Sequence, residues 1–246
     1  MKKGSYNYIW IGAVILLFGI LFVPKIVDRL VEGRVVEHDR ISRDPGAEPL
    51  SYVLLNGERR RVPPFALLDQ DSLLITDRDY LGKVYVAEFF FTTCPTICPV
   101  MTQNLVALQE TFRDRADFGV ASFTINPRHD TPGVLKQYAE AYGITDMDWH
   151  LLTGNRDTIY ELANSGFNIF AAEMPGVAGG FEHSGLFALI DRQGYIRCRK
   201  DDFGNLLVYY RGAIPEGREA EDGEETEQIS LLREDIRKLL DEPYEN

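Results

Sequence analysis

The run Lys83 to Phe91 (KVYVAEFFF) is rich in β-branched and aromatic residues and carries charge only at Lys83 and Glu88. Such a nearly continuous apolar run is typical of a strand that is covered on both faces, in the centre of a sheet. Parallel strands of this kind need crossover connections, which are usually helical. The run therefore predicts an α/β protein.

Turn signals and periodicity place the other elements around this strand. A helix over 132–142 has Asp130-Thr131-Pro132 at its start and Gly143 at its end, which are typical start and stop signals. The order β-α-β-α-β-α-β-β-α predicts a mixed, parallel-containing sheet with helices on both faces. The remaining predicted elements are a hairpin over 65–75, helices over 99–112, 157–164 and 228–241, and strands over 120–125, 149–152, 186–190 and 195–199.

The amino-terminal part contains sixteen residues without a charge, Tyr8 to Val23. As a helix they would be about 24 Å long, slightly shorter than a hydrocarbon core of about 30 Å. Lys2 and Lys3 also fit a cleaved signal peptide, but no A-x-A-like cleavage site follows. Charge alone leaves the orientation open, because long following domains translocate largely regardless of charge. We expect a cytoplasmic stretch over 1–7, an uncleaved membrane anchor over 8–27, a polar linker over 28–51 and one domain over 52–243.

Composition narrows the function. The formal net charge of -12 argues against nucleic-acid binding, because phosphate neutralisation needs clustered Lys and Arg. Three cysteines are too few for a scaffold held together by disulfides. Any cysteine with a functional role is therefore predicted to react through its thiol or to bind a metal. The segment 212–227 is strongly acidic and is predicted to be a solvated, disordered loop.

A cysteine pair directly follows the central strand, in Cys94-Pro95-Thr96-Ile97-Cys98. The carboxyl end of a central strand is where open α/β sheets place their sites. A helix that begins there favours thiolates, and the spacing of four residues brings two sulfurs to one face if the turn is helical. The pair could then form a disulfide or share one ion. The alternative is two buried cysteines that act as small apolar residues.

The segment FFFTTCPTICPVMTQNL resembles the CxxxC segment of the Sco/SenC family, the membrane-anchored, thioredoxin-like copper proteins of cytochrome c oxidase assembly. The resemblance extends over about residues 62–210 and includes the stretches 125–132, 149–154 and 183–185. It implies a thioredoxin-like fold. One departure is Asn126, where the family commonly has Asp before Pro127, whereas Asp130 matches the family pattern.

By this resemblance, Cys94, Cys98 and His183 would bind one copper ion per monomer. Two soft thiolates with one imidazole suit Cu(I), and can hold Cu(II) with an added ligand. The resemblance implies that the ion is delivered to the binuclear copper centre of an oxidase subunit, with other copper carriers or thiol reductants as further partners. It also implies that the domain lies outside the cytoplasm. Since no transit peptide precedes the anchor, we expect a bacterial inner membrane.

Two other functions remain open. The first is a thiol–disulfide oxidoreductase that reduces the cysteines of its target, with Cys94 and Cys98 as the redox pair and no need for His183. The second is a peroxiredoxin-like peroxidase, which would need one activated cysteine in a dedicated pocket. Enzyme activity is thus an open question, and His183 distinguishes the copper hypothesis from the others.

Glu88 and Asp130 are candidates for the surroundings of the copper ligands. Glu88 interrupts the apolar strand six residues before Cys94. Buried carboxylates near this position in thioredoxin-like proteins can assist thiol proton transfer, but the favoured interpretation is a glutamate on a partly exposed strand face. Other residues with ligand chemistry are interpreted as structural or peripheral. They are Cys198 as an idle thiol, His129 and His150 as surface or loop histidines, His38 in the linker, Gly176, Gly179 and Gly180 as a flexible loop before His183, and Met101 and Met174 as packing residues.

Overall fold

The computed structural model describes residues 16, 18, 49–201, 204–220 and 225–244. Contacts divide the chain into two units, Met1–Ala47 and Glu48–Asn246, and of the first unit only Leu16 and Phe18 are described. The predicted anchor lies outside the described residues except for these two positions, as do the stretch 1–7, His38 and most of the linker. Among the described residues, no helix is both long and apolar enough to cross a membrane.

The second unit contains a central mixed sheet, three small hairpins and four α-helices among its described residues. Asp77–Tyr80 forms a 3-10 helix and Leu162–Phe167 a π-helix. The strands are β1 (Ser51–Tyr52), β2 (Leu54–Leu55), β3 (Glu58–Arg59), β4 (Ala66–Leu68), β5 (Leu74–Thr76), β6 (Val84–Phe90), β7 (Phe118–Thr124), β8 (Trp149–Leu152), β9 (Ala171–Glu173), β10 (Phe181–His183), β11 (Leu186–Ile190), β12 (Ile196–Lys200), β13 (Leu206–Leu207) and β14 (Tyr210–Arg211). The α-helices are α1 (Cys98–Phe112), α2 (Pro132–Tyr142), α3 (Arg156–Glu161) and α4 (Ile229–Asp241).

The sheet has the strand order β1-β12-β11-β6-β7-β8, with β13 added to β12 and β14 to β11. Strands β6, β7 and β8 are parallel, whereas β11 runs antiparallel to β6 and to β12. Every residue of β6 and β7 is buried, as their near-continuous apolar sequences predict. The predicted mixed sheet with the apolar run at its centre is confirmed.

Helices cover both faces of this sheet. Successive side chains of a strand point to opposite faces. Phe90 packs its ring against Tyr138 of α2, with ring centroids 5.4 Å apart. Phe89 points the other way, against Phe167 of the π-helix at 5.6 Å. The cysteines that follow β6 therefore emerge from a strand that both layers hold in place.

The predicted helix over 157–164 differs in its second half. The α-helix ends at Glu161, and the chain continues as a wider π-helix that ends at Phe167. The Asn164 amide donates to the carbonyls of Tyr160 and Ala171 and accepts a hydrogen bond from Ala171 N–H. These bonds tie the last turn to the first residue of strand β9, seven residues further on, a contact that no helical periodicity encodes.

Helix α4 ends against a buried arginine. Its predicted apolar residues Ile229, Leu232, Ile236, Leu239 and Leu240 are all buried. Arg192 donates to the carbonyl oxygens of Leu239 and Leu240 at 2.7 Å each and pairs with Asp117 at 2.7 Å. Carbonyls at a helix C-terminus lack partners within the helix, so Arg192 satisfies the Leu239 carbonyl and shares the Leu240 carbonyl with Arg115, which donates to it at 2.9 Å.

We expect Arg192→Ala to lower the free energy of unfolding by about 2 kcal/mol, because it leaves the Leu239 carbonyl without its donor and removes one of the two arginines that pair with Asp117. Urea unfolding followed by tryptophan fluorescence measures the change. The control is Arg113→Ala, which removes an exposed ion pair with Glu110 and should change stability by less than about 1 kcal/mol. Equal effects of the two substitutions would contradict the role of Arg192.

Candidate metal centre

The two cysteines lie at the junction of β6 and α1. Cys94 lies in the turn after β6, where its N–H donates to the carbonyl of Phe91 at 3.2 Å, and Cys98 is the first residue of α1. Cys94 is 9% exposed and Cys98 is 1% exposed. Both are free thiols. The junction thus presents one sulfur near the surface and one beneath it.

His183 reaches this junction from a hairpin that sequence reasoning missed. Strands β9 and β10 pair antiparallel, with His183 opposite Ala171. The His183 Nε2 atom lies 3.2 Å from the Cys98 Sγ atom, and the imidazole is 8% exposed. The two sulfurs and a ring nitrogen lie within 4.8 Å of one another. Since two sulfurs on one ion lie about 4 Å apart at metal–sulfur distances of about 2.3 Å, the three side chains could hold a single metal ion.

Glycines allow the hairpin to approach the cysteine turn. Gly179 has φ 85°, and a Cβ atom there would lie 2.8 Å from the Phe91 ring. Gly185, directly before β11, has φ 64°, and its Cβ would lie 3.1 Å from Ile97. Both positions thus combine a left-handed backbone with too little space for a side chain. His183 is therefore held on a paired strand at the thiols, whereas the glycine pattern predicted a flexible loop.

The site gives its two thiols different acidities. A hydrogen bond from Cys98, with a smaller contribution from His183, lowers the pKa of the Cys94 thiol well below its ordinary value. The hydrogen bond to Cys94 and burial raise the pKa of Cys98. Cys94 is therefore the thiolate of the metal-free pair, and its charge is available at the more exposed sulfur.

Asp130 fixes the segment that precedes Cys94. The carboxylate is fully buried and accepts hydrogen bonds from Thr92 N–H at 3.1 Å, from Thr92 Oγ1 at 2.5 Å and from Thr124 Oγ1. His129 Nδ1 lies 2.9 Å from the same carboxylate. The backbone N–H of Asn126 donates to Thr124 Oγ1 at 3.0 Å. Asp130 thus joins the ends of β6 and β7 just before the cysteine turn.

The interpretation of Glu88 as a residue on a partly exposed strand face is wrong. Its side chain is 1% exposed, because β6 is covered on both faces. Its Oε1 atom accepts a hydrogen bond from Ser122 at 2.7 Å, and Oε2 has no hydrogen-bond partner among the residues that the structure describes. Burial raises the pKa of Glu88 to about 7, and its charge contributes to the raised pKa of Cys98. Glu88 therefore belongs to the electrostatic surroundings of the cysteine pair.

The other candidates lie outside the cluster of three. Cys198 is fully buried in β12, and burial raises the pKa of its thiol to about 11. His129 is an exposed loop residue, as predicted. The prediction that His150 lies at the surface or in a loop is wrong. His150 lies in β8 with its Nδ1 atom 3.0 Å from Asp69 Oδ2, and its side chain is 15% exposed. Met101 is fully buried as predicted, whereas Met174 is 38% exposed.

A mixed sheet with two thiols and an imidazole at the carboxyl end of its central strand defines a thioredoxin-like protein with a candidate metal centre. Residues 55–202, more than half of the chain, match the SCO1/SenC family model. The chain therefore belongs to the SCO1/SenC family.

Individual relatives agree with this assignment. The chain is 30% identical over 151 residues to the SCO1 protein homolog of Bacillus subtilis (strain 168), which covers 61% of this chain and 74% of that protein. A solved SCO1/SenC family lipoprotein from Bacillus anthracis str. Ames has 26% identity and a TM-score of 0.60, covering 73% of this chain and 95% of that one. BsSco, a member of the Sco family of cytochrome c oxidase assembly proteins with an identified disulfide switch, has 24% identity and a TM-score of 0.61 over 80% of this chain and 100% of its own. At that identity, BsSco supports the fold alone.

The raised pKa of Glu88 predicts a pH-dependent stability. The unfolded carboxyl titrates near 4.5 and the folded one near 7, so folding retains a proton that the unfolded chain loses. This contribution is fully present below pH 4.5 and is lost as the pH rises through 7. We expect Glu88→Gln to gain about 3 kcal/mol relative to the wild type between about pH 4 and about pH 8.

Urea unfolding of both metal-free proteins at the two pH values measures this difference. Glu110→Gln on the exposed face of α1 serves as the control and should follow the wild type at both pH values. A constant difference between wild type and Glu88→Gln across the range would contradict the retained proton.

Proposed function

We propose that this chain binds a copper ion through Cys94, Cys98 and His183 and delivers it to the binuclear copper centre of cytochrome c oxidase. The observation that carries the proposal is the approach of one imidazole nitrogen and two thiol sulfurs to within 4.8 Å of one another. The SCO1/SenC family match, which covers both cysteines and the histidine, supports it.

The donor set favours copper over a structural metal. Two thiolates and one imidazole are soft ligands suited to Cu(I), and Cu(II) can be held with an added ligand. Structural zinc usually has four closed protein ligands, and this site offers three. We propose one ion per monomer, with a coordination position left for a ligand of the receiving protein. Since Cys94 is the more exposed sulfur, the ligand would approach from its side.

Asp130 and Glu88 would act through the ligands they surround. Asp130 accepts two hydrogen bonds from Thr92, two residues before Cys94, and so orients the start of the cysteine turn. Residues that only orient a ligand affect metal affinity because they fix the geometry of the ligand. Glu88 places negative charge near Cys98. This charge opposes a second thiolate in the metal-free pair, but it would stabilise a cation bound between the two sulfurs.

The predicted partners and location are also part of this proposal. We propose that the segment over 8–27 anchors the chain in a bacterial inner membrane, with the domain on the extracytoplasmic side. The Bacillus anthracis relative is a lipoprotein, which supports the proposal that this chain is also associated with a membrane. The copper-bearing oxidase subunit would be the recipient, and other copper carriers or thiol reductants would act upstream.

Copper titration of the full chain in detergent tests the proposal. The reduced wild type should take up one equivalent of Cu(I) in competition with a chromophoric chelator. We expect Cys94→Ser, Cys98→Ser and His183→Ala each to weaken copper binding by more than about tenfold. Loss of a residue that only orients a metal ligand already lowers metal affinity by about tenfold or more, and loss of a ligand itself should cost more.

Two variants serve as matched controls, Cys198→Ala for the cysteines and His150→Gln for the histidine. Both should bind copper like the wild type, since neither residue belongs to the cluster. Unchanged binding by His183→Ala would overturn the ligand set, and absence of stoichiometric binding by the wild type would overturn the function.

A thiol–disulfide oxidoreductase is the second candidate. The opposite pKa shifts of Cys94 and Cys98 favour it, because a thiolate at the less deeply buried cysteine, beside a fully buried thiol, suits attack followed by resolution. In this role the reduced pair would donate two electrons to the disulfide of a target, so that Cys94 and Cys98 become a disulfide and the target cysteines become two thiols.

Reaction of the metal-free chain with oxidised glutathione, followed by mass spectrometry, tests this candidate. In the wild type, Cys94 should form a mixed disulfide that Cys98 resolves, so two glutathione thiols leave and one internal disulfide remains. Cys98→Ser should stop at the mixed disulfide, and Cys94→Ser should react more than about tenfold more slowly because Cys98 is buried and protonated. Equal rates for the two serine variants would contradict the assignment of Cys94 as the attacking thiol.

A further inference from the structure

A cleft of about 250 Å³ opens beside the candidate metal centre. Cys94 and His183 line it, together with other residues of the cysteine turn and of the β9–β10 hairpin. The wall residues are Phe91, Ile97, Val177 and Phe181. At about 30 Å³ per molecule of liquid water, the cleft has room for about eight waters or one large side chain. An empty space of this size therefore lies next to the more exposed sulfur.

The walls of the cleft are apolar although it opens to solvent. Phe91 and Phe181 pack ring against ring at 5.2 Å, which fixes the back wall. Val177 is 37% exposed at the rim, and Met174 on the same hairpin is 38% exposed. Exposed apolar surface beside a functional group is typical of a binding site for another molecule. The cleft therefore favours an apolar group as its occupant.

A single carboxylate also lines the cleft. Glu182 lies between Phe181 and His183 on β10 and is exposed. Among the described residues, Glu182 has no ion-pair partner, whereas Glu173 on the same hairpin pairs with Arg156 at 2.7 Å. The whole chain carries a net charge of -12. An occupant with a cationic group beside its apolar one would match this rim.

We propose that the cleft is the docking site for the polypeptide that exchanges with this centre. It accepts a leucine- or phenylalanine-sized side chain between Phe91 and Val177, with a lysine or arginine of the same segment beside Glu182. This docking places a neighbouring cysteine of the partner next to Cys94. The inference rests on the proposed function only for the role of that cysteine as the acceptor of the ion.

Thiol exchange with short peptides tests the cleft without any metal. Four blocked tripeptides carry cysteine as a mixed disulfide with thionitrobenzoate: Lys-Leu-Cys, Lys-Gly-Cys, Glu-Leu-Cys and Glu-Gly-Cys. The Cys94 thiolate attacks the sulfur of the peptide cysteine, a new disulfide forms, and thionitrobenzoate leaves as a coloured thiolate. The release rate from the full, reduced, metal-free chain is measured for each peptide.

We expect Lys-Leu-Cys to react about tenfold faster than Lys-Gly-Cys, because the leucine side chain leaves water on docking. At low salt, Lys-Leu-Cys should react about threefold faster than Glu-Leu-Cys, and Glu182→Gln should abolish this charge preference. Val177→Asp should bring the leucine-to-glycine ratio toward one. Met147→Asp is the matched control and should keep the wild-type ratio. Met147 is exposed before the amino end of β8, whereas the cleft lies beyond the carboxyl end of β6, which runs in the same direction.

Equal rates for the leucine and glycine peptides, or a leucine preference that survives Val177→Asp, would overturn the inference. A wild-type dimer that Val177→Asp dissociates in sedimentation would also overturn it, because a second copy of the chain would then occupy the cleft. Copper titration separates this result from the proposed function. Normal copper binding without peptide preference refutes the cleft alone, and peptide preference without copper binding refutes the copper function alone.

Discussion

The 3.2 Å contact between Cys98 Sγ and His183 Nε2 joins two segments that are 85 residues apart in the chain. Each segment is held by a different part of the fold. Cys98 is fixed as the first residue of α1, directly behind the central strand, and His183 is fixed by its pairing with Ala171. A metal ion at this point would therefore add a further connection between α1 and β10, which already meet at the contact between Cys98 and His183. The fold supplies the geometry, so binding would need little rearrangement.

The same contact depends on the absence of two side chains. A Cβ at Gly179 would collide with Phe91, and a Cβ at Gly185 would press on Ile97, immediately before Cys98. Either residue would push the hairpin away from the cysteine turn and lengthen the distance from His183 to the sulfurs. The glycines near His183 therefore act by close approach at two defined positions, which is a stronger constraint than general flexibility.

The sequence predicts the parts of this site that rest on local pattern. A continuous apolar run followed by Cys94 and Cys98 predicts the central strand and the start of α1, and both are observed. The β9–β10 hairpin was not predicted, because three-residue strands such as Ala171–Glu173 are too short to show a period of two. The burial of Glu88 was not predicted, because a charged residue in an apolar strand usually indicates a face that is exposed to solvent. Its burial depends on coverage by both layers and on Ser122 from the neighbouring strand, and pairing between strands is not visible in one sequence.

Cys94, Cys98 and Glu88 together make the electrostatics of the site favourable for a cation. Without an ion, the Cys94 thiolate and the charge of Glu88 both raise the pKa of Cys98, so the buried thiol keeps its proton. A cation between the sulfurs reverses the sign of each of these interactions, since negative neighbours stabilise it and it stabilises thiolates in turn. Loading the site would therefore release the Cys98 proton, and unloading it would restore the neutral thiol. The arrangement that makes Cys98 a poor free thiolate is thus the one that makes the pair a good host for a soft cation.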